Sequence, residues 1–206
     1  FNGSPVDPDS AATAVHAGEV LAGLGHLVDD GAPDVFFDDE LWDVAKLLLG
    51  VVVAAEADAW TDRIGHPLGE ADLEPRTWSA VQAGRSVSTM DLYAALERAQ
   101  RLSAAALSWW DHYDLLLTPT TPAPASILGE YLTKYVSGIG SAFTRPVNLT
   151  GQPAISVPLG WPDDGLPRGV QIIGGYGDDR LVVRAAAELE AAEPWHHRRP
   201  VIEAGP

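Results

Sequence analysis

With 206 residues, 46% of them hydrophobic, the chain has the length of one domain and enough apolar material for a sizeable core. Its 29 Asp and Glu against 13 Lys and Arg leave a net charge of -16, which repels nucleic acid and anionic membrane surfaces, although a solvated acidic surface explains the charge equally well. The absence of Cys excludes disulfides and thiolate catalysis, and no apolar run reaches the roughly 18 residues of a bilayer span; with no signal peptide visible, a soluble cytoplasmic protein is expected.

Asp7-Pro8 reads as a helix opening, an Asp cap with Pro at the first helical position. Ala11, Ala14, Val15, Gly18, Leu21 and Ala22 follow at helical spacing as one small-residue face, and Gly25 closes that helix. Residues 26–28 predict a brief strand and 29–33 a loop. A long helix is expected over 38–64, starting in three acids that suit a helix N-terminus. Its middle, 45–55, is apolar nearly all round and calls for cover, some of it from parts outside this chain. After a loop, 75–84 predicts a short helix stopped by Gly84. Residues 88–111 predict a helix capped by Ser88, with Leu92, Leu96, Ala99, Leu102, Ala106 and Trp110 as its buried stripe.

Residues 113–118 read as a strand, and the continuous apolar middle at 115–117 suggests burial on both faces. The alternating prolines of TPTTPAPA then forbid regular structure. A polar loop, 144–152, leads into a strand at 154–159, where Pro158 marks a strand end or a sheet edge. The turn WPDDGLP precedes a second strand at 169–175, and a helix follows from an Asp cap. No internal repeat or dividing linker is present, so residues 1–206 are expected to belong to one domain. The pattern is α/β.

Three irregular strings in this order, YDLLLTPTTPAPA from Tyr113, NLTGQPAISVP from Asn148 and GLPRGVQIIG from Gly165, resemble the C-terminal part of the amidase signature family of amide hydrolases. The likeness extends more weakly back to about Pro5. It implies an α/β/α layered fold, a mixed β-sheet flanked by helices, of which this chain is a part. It also implies hydrolysis of carboxamide C–N bonds by a serine nucleophile, a cis-linked second serine and a lysine base. Those residues belong to segments upstream of every matched string, so no catalytic residue is expected in this chain, and the chain alone is expected to be inactive. The implied partners are a small-molecule amide substrate and the N-terminal half of the same enzyme, with a homodimer left open. No cofactor and no metal is implied.

In such folds ligands lie at the carboxyl ends of strands, which singles out the polar segments 118–121 and 144–152. Thr118, Thr120, Ser141, Thr144, Asn148 and Gln152 are the expected substrate-binding residues. The competing reading is that Asn148, Thr150 and Gln152 only satisfy backbone groups in a tight loop. Lys134, Ser137 and Ser141 superficially resemble a Ser-Ser-Lys set, but they lack a Gly-Ser-rich frame to supply oxyanion donors. Asp111-His112 and the 196–199 His-His-Arg-Arg run read as solvated surface. Glutamine amidotransferase subunits share the resemblance, and their pattern has an acid before the NLTG-like phrase to hold the glutamine amine. Here 138–144 (GIGSAFT) has none, so glutamine is disfavoured and a neutral or apolar carboxamide fits better. A non-catalytic amidase-like remnant or interaction module is the alternative of a different class.

Overall fold

Asp7 opens the first helix in the computed structural model, which describes residues 3, 5–127 and 139–199. Its carboxylate accepts hydrogen bonds from the Ser10 amide at 3.0 Å and the Ser10 hydroxyl at 3.1 Å, and α1 runs Pro8–Gly23. The buried face of α1 is Ser10, Thr13, Ala17, Gly18 and Leu21. This lies to one side of the predicted stripe, leaving Ala11, Val15 and Ala22 exposed. Thr13 can be buried because its hydroxyl donates back to the Asp9 carbonyl at 2.7 Å. Residues 26–28 form no strand. The His26 ring instead meets the Glu188 carboxylate at 2.8 Å, and Leu27 points fully into solvent.

The long helix α2, Asp39–Ile64, starts as predicted, with the Asp38 carboxylate accepting from the Glu40 amide, and ends at Gly65 in the left-handed region. Its apolar middle is covered on one side only. Ala45, Gly50 and Ala54 are buried, whereas Leu49 and Val52 are 52% and 57% exposed. Helix α3, Pro75–Arg85, runs through Gly84 rather than stopping there. A side chain at Gly84 would collide with the Gly50 carbonyl, so these two glycines are where α2 and α3 touch backbone to backbone.

Helix α4 spans Thr89–Leu107 with Ser88 as cap, and a 3-10 turn completes it at Ser108–Asp111. Ala95, not Leu96, takes the inward place between Leu92 and Ala99, so the stripe steps by three there. The predicted loop over 144–152 contains a six-residue helix, α5, Arg145–Thr150. Pro146 sits in its first turn and Gly151 ends it at φ 72°.

The strands are β1 Leu115–Pro119, β2 Ala154–Gly160 and β3 Arg168–Gly174, followed by α6, Asp179–Ala192. All pair antiparallel in the order β1-β3-β2. Pro158 therefore lies on an edge strand of this sheet, as its missing donor requires. Val157, Leu159, Val170 and Ile172 face α1 and α6, packing on Ala17, Leu21, Ala185 and Leu189. Leu116 and Ile173 face the other way, onto Phe36, Leu41, Trp42, Leu102, Ala106 and Val147. Helices thus cover both faces of the sheet, and β1 is buried on both, as its continuous apolar run requires. Among the described residues no helix is long and apolar enough to cross a membrane.

Candidate functional site

On the second face of the sheet the apolar packing stops at the row Leu116–Ile173 and polar side chains take over. The next row is Thr118–Gln171–Ser156. Gln171 is 5% exposed, and its Nε2 donates to Thr118 Oγ1 at 3.1 Å and to the Phe143 carbonyl at 3.0 Å. One amide thereby joins β1, β3 and the segment leading into α5. Beyond it, Thr120 Oγ1 and Ser156 Oγ share a hydrogen bond of 2.6 Å. Thr120 directly follows β1 and Ser156 lies in β2, the two strands that flank β3, about 9–10 Å apart across a sheet. They meet because Gly169, between them, has no side chain.

The 139–152 segment brings the remaining candidates. Ser141 lies in a 3-10 turn, Ile139–Ser141, and its hydroxyl accepts from Arg145 Nη2 at 3.0 Å. Thr144 precedes α5, and its carbonyl accepts from the Asn148 amide at 3.0 Å. The Asn148 side chain is exposed. Gln152 is buried; its Nε2 donates to the Gly174 carbonyl at 2.7 Å and its Oε1 accepts from the Thr150 hydroxyl at 2.9 Å. Both ends of its amide are engaged by the protein. Two glutamine amides therefore fasten this segment at both ends, one on β3 to Phe143 and one from Gln152 to the end of β3.

The structure brings Thr118 and Thr120 onto one polar strip and ties Ser141 and Thr144 to it through Phe143. Lys134 and Ser137 lie outside the described residues. Asp111-His112 and 196–199 are exposed. Ser156, Gln171 and Arg145 were not singled out by the sequence. The signal for the first two was present: each interrupts an apolar strand at the alternate positions, so each must face away from the Val157 and Val170 side.

Arg145 is half-buried, with its Cζ 5.4 Å from the centroid of the Trp42 ring. Burial, with the like charge of Arg76, pulls its pKa below the usual arginine value. Among the described residues no group of three or more His, Asp or Glu is placed to hold a metal. Two surface depressions, of about 570 and 620 Å³, lie between α2 and α4 and beside the 33–38 segment, and none of the six candidates lines either.

Residues 6–183 match the family model described as Amidase. The chain is 35% identical over 211 residues to the 6-aminohexanoate-cyclic-dimer hydrolase of Paenarthrobacter ureafaciens, covering 96% of this chain and 43% of that protein. It is 31% identical over 201 residues to a putative amidase, AmiA2, of Mycobacterium bovis, with 95% and 40% covered. Among solved structures, a 6-aminohexanoate cyclic dimer hydrolase complexed with substrate superposes with a TM-score of 0.88 at 35% identity, over 95% of this chain and 44% of the other. A bacterial aryl acylamidase of the amidase signature family gives 0.73 at 27% identity, over 96% and 44%. The chain thus spans less than half the length of these relatives.

Proposed function

The chain belongs to the amidase signature family, and we propose that it forms the C-terminal, substrate-cleft part of an enzyme that hydrolyses carboxamide C–N bonds. The observation that carries this reading is the match of 95% of the chain, at a TM-score of 0.88, to a 6-aminohexanoate cyclic dimer hydrolase solved in complex with substrate.

In the proposed enzyme the Ser-cisSer-Lys centre lies in an N-terminal part that precedes this chain. The nucleophilic serine attacks the amide carbonyl while its proton passes through the cis-linked serine to the lysine. Backbone N–H groups stabilise the tetrahedral oxyanion. The C–N bond then breaks, the amine leaves with the proton returned from the lysine, and water releases the acid from the acyl-enzyme. The present chain supplies one wall of the cleft: Thr118, Thr120 and Ser156 on the sheet, and Ser141, Thr144 and Asn148 on the adjoining segment. Gln152 acts in this reading by holding that segment on β3. The absence of an acid in 138–144 favours amides that carry no free ammonium group.

The test uses the full-length protein that contains this chain. It should release aniline from simple acyl anilides and react with a serine-directed covalent probe. The 206 residues expressed alone should do neither, because they contain no activated nucleophile or oxyanion hole. Full-length protein that neither reacts with the probe nor turns over any amide would leave the non-catalytic module as the better reading.

A further inference from the structure

Arg85, Arg98, Arg101, Arg168 and Arg184 each face a carboxylate. Arg145 faces none among the described residues and, unlike the exposed Arg63, Arg180, Arg198 and Arg199 that also face none, is half-buried, although acids outnumber Lys and Arg 29 to 13 in this chain. Its guanidinium rests over Trp42, itself only 8% exposed, and bonds the Ser141 hydroxyl. Among the described residues, the charge near it is that of another cation, Arg76. A partly desolvated guanidinium beside a like charge is costly unless an anion completes it. Its planar fork can keep Nη2 on Ser141 and still offer its other N–H groups to a carboxylate. Arg145 also follows Thr144 directly, at the point where the segment is fixed by the Gln171–Phe143 bond. The 138–144 stretch carries no acid and leads directly into this cation.

Resting on the amide-hydrolase reading, we infer that Arg145 is a specificity-determining residue that receives a carboxylate carried by the substrate away from the scissile amide. Ser141 fixes the guanidinium, and Trp42 keeps water from one of its faces. The substrate class is then an amide whose acyl or amine part ends in an acid, such as the monoamide of a dicarboxylic acid.

The test compares succinyl, glutaryl and adipyl para-nitroanilides with the butyryl, valeryl and hexanoyl anilides of equal length, using the full-length enzyme. At least one acid form should exceed its neutral match in kcat/KM by about tenfold or more, mainly through KM, as a charge-assisted hydrogen bond allows. Arg145→Met should abolish that ratio while leaving the neutral anilide within about threefold of wild type, and Arg145→Lys should keep part of it. Glutarate binding, followed by equilibrium titration, should weaken in parallel.

Turnover without preference for any acid form, or a preference that survives Arg145→Met, overturns the inference and leaves amide hydrolysis standing. A lower melting temperature in Arg145→Met with an unchanged ratio assigns Arg145 to a carboxylate of the protein and also overturns it. Arginine-dependent glutarate binding without turnover of any anilide keeps the anion site and sinks the hydrolase reading instead. Should Arg145→Met fail to fold, the wild-type ratio and the Arg145→Lys variant decide.

Discussion

The hydroxyls of Thr120 and Ser156 meet at 2.6 Å across the backbone of Gly169, so a side-chain bond joins the residue that follows β1 to β2 over the central strand. A Cβ on Gly169 would stand 2.7 Å from Thr120 Oγ1 and 3.0 Å from Ser156 Oγ. Gly169→Ala should therefore break this bond. The two closest atoms are side-chain hydroxyls that can rotate away, and only Thr120 Cβ, at 3.2 Å, must shift with its backbone, so the cost is set at the lower end of overpacking, about 1–2 kcal/mol. Denaturant unfolding of Gly169→Ala beside Thr120→Val tests this. A Gly169→Ala variant as stable as wild type, with unchanged activity, would remove the strip from the cleft.

Gly84 leads to a stronger expectation, because there the obstacle is backbone. The Cβ of Gly84→Ala would run into the Gly50 carbonyl carbon and oxygen and approach the Ala54 methyl at 2.9 Å. Neither helix can yield locally, so α2 and α3 must move apart along their length. We expect a loss of roughly 3 kcal/mol, at the upper end of overpacking. Gly23→Ala on α1, where a Cβ meets nothing within 4 Å, is the control and should change little. Equal melting temperatures for the two variants would contradict the contact.

These two glycines also show where the sequence was readable. Gly84 announces itself as a glycine near a helix end, and the local reading makes it a stop. The Gly50 carbonyl that requires it lies 34 positions away, beyond any local pattern. The strands β1, β2 and β3 were legible as short apolar runs, although 26–28, also read as a strand, is not one; the cap of α1 and the turn before β3 were legible from an Asp before Pro8 and the Asp-Gly pair before Leu166, which are local signals. Helix α5 was not, since six residues give less than two turns of periodicity; only Pro146 and Gly151 hinted at it. Thr118 and Thr120 followed from the end of a buried strand. The pairing of Thr120 with Ser156, and the place of Gln171 between Thr118 and Phe143, depend on strand order. A single sequence does not encode that order locally.

The Arg168 cluster should govern the acid limb of stability. Arg168 is 3% exposed; its Nη2 donates to Asp164 Oδ2 at 2.7 Å and its Nε to Asp7 Oδ2 at 3.3 Å, joining the start of β3 to the cap of α1. Burial pushes the Asp7 carboxyl up, but hydrogen bonds from the Ser10 amide and hydroxyl and from Arg168 outweigh it, so its pKa lies below the ordinary value. The Asp164 pKa is lowered by its Arg168 hydrogen bonds and by the Leu166 amide. A depressed folded-state pKa gives stability that is fully present above the unfolded value and is lost as pH falls through the folded one. Wild-type stability should therefore be level at neutral pH and decline below about pH 4. Asp7→Asn should lower stability at pH 7 and flatten that decline, whereas Arg168→Met should cost about 1–3 kcal/mol at pH 7 by removing the buried hydrogen-bonding link between Asp7 and Asp164, while Asp7, partly exposed, keeps its bonds from Ser10. Unfolding curves from pH 7 to pH 3 decide, and a parallel acid decline in wild type and Asp7→Asn would contradict the assignment.

Gln152 and Gln171 hold the same segment but should fail differently. Gln152→Ala removes the donor to the Gly174 carbonyl and the acceptor for the Thr150 hydroxyl, both at the far end of α5 from Thr144. The Thr150 hydroxyl keeps its bond to the Val147 carbonyl at 3.2 Å, so the main loss is the donor to the buried Gly174 carbonyl, about 1–3 kcal/mol. We expect that loss in stability, with KM close to wild type in the fraction that remains folded. Gln171→Leu removes the Nε2 donor to Thr118 Oγ1 and to the Phe143 carbonyl in the middle of the polar strip. A comparable stability loss should then come with a rise in KM of about tenfold and a smaller change in kcat, because the segment bearing Ser141 and Thr144 is released from the sheet. Gln171→Glu adds a readout that a purely structural role would not produce. An ionised carboxylate cannot donate to the Phe143 carbonyl, whereas the neutral acid can donate once. Its KM should therefore fall toward the wild-type value as the pH is lowered from 8 toward 5, while that of Gln171→Leu stays flat. If both variants keep a constant KM across that range, Gln171 is a packing residue and the strip does not position the segment.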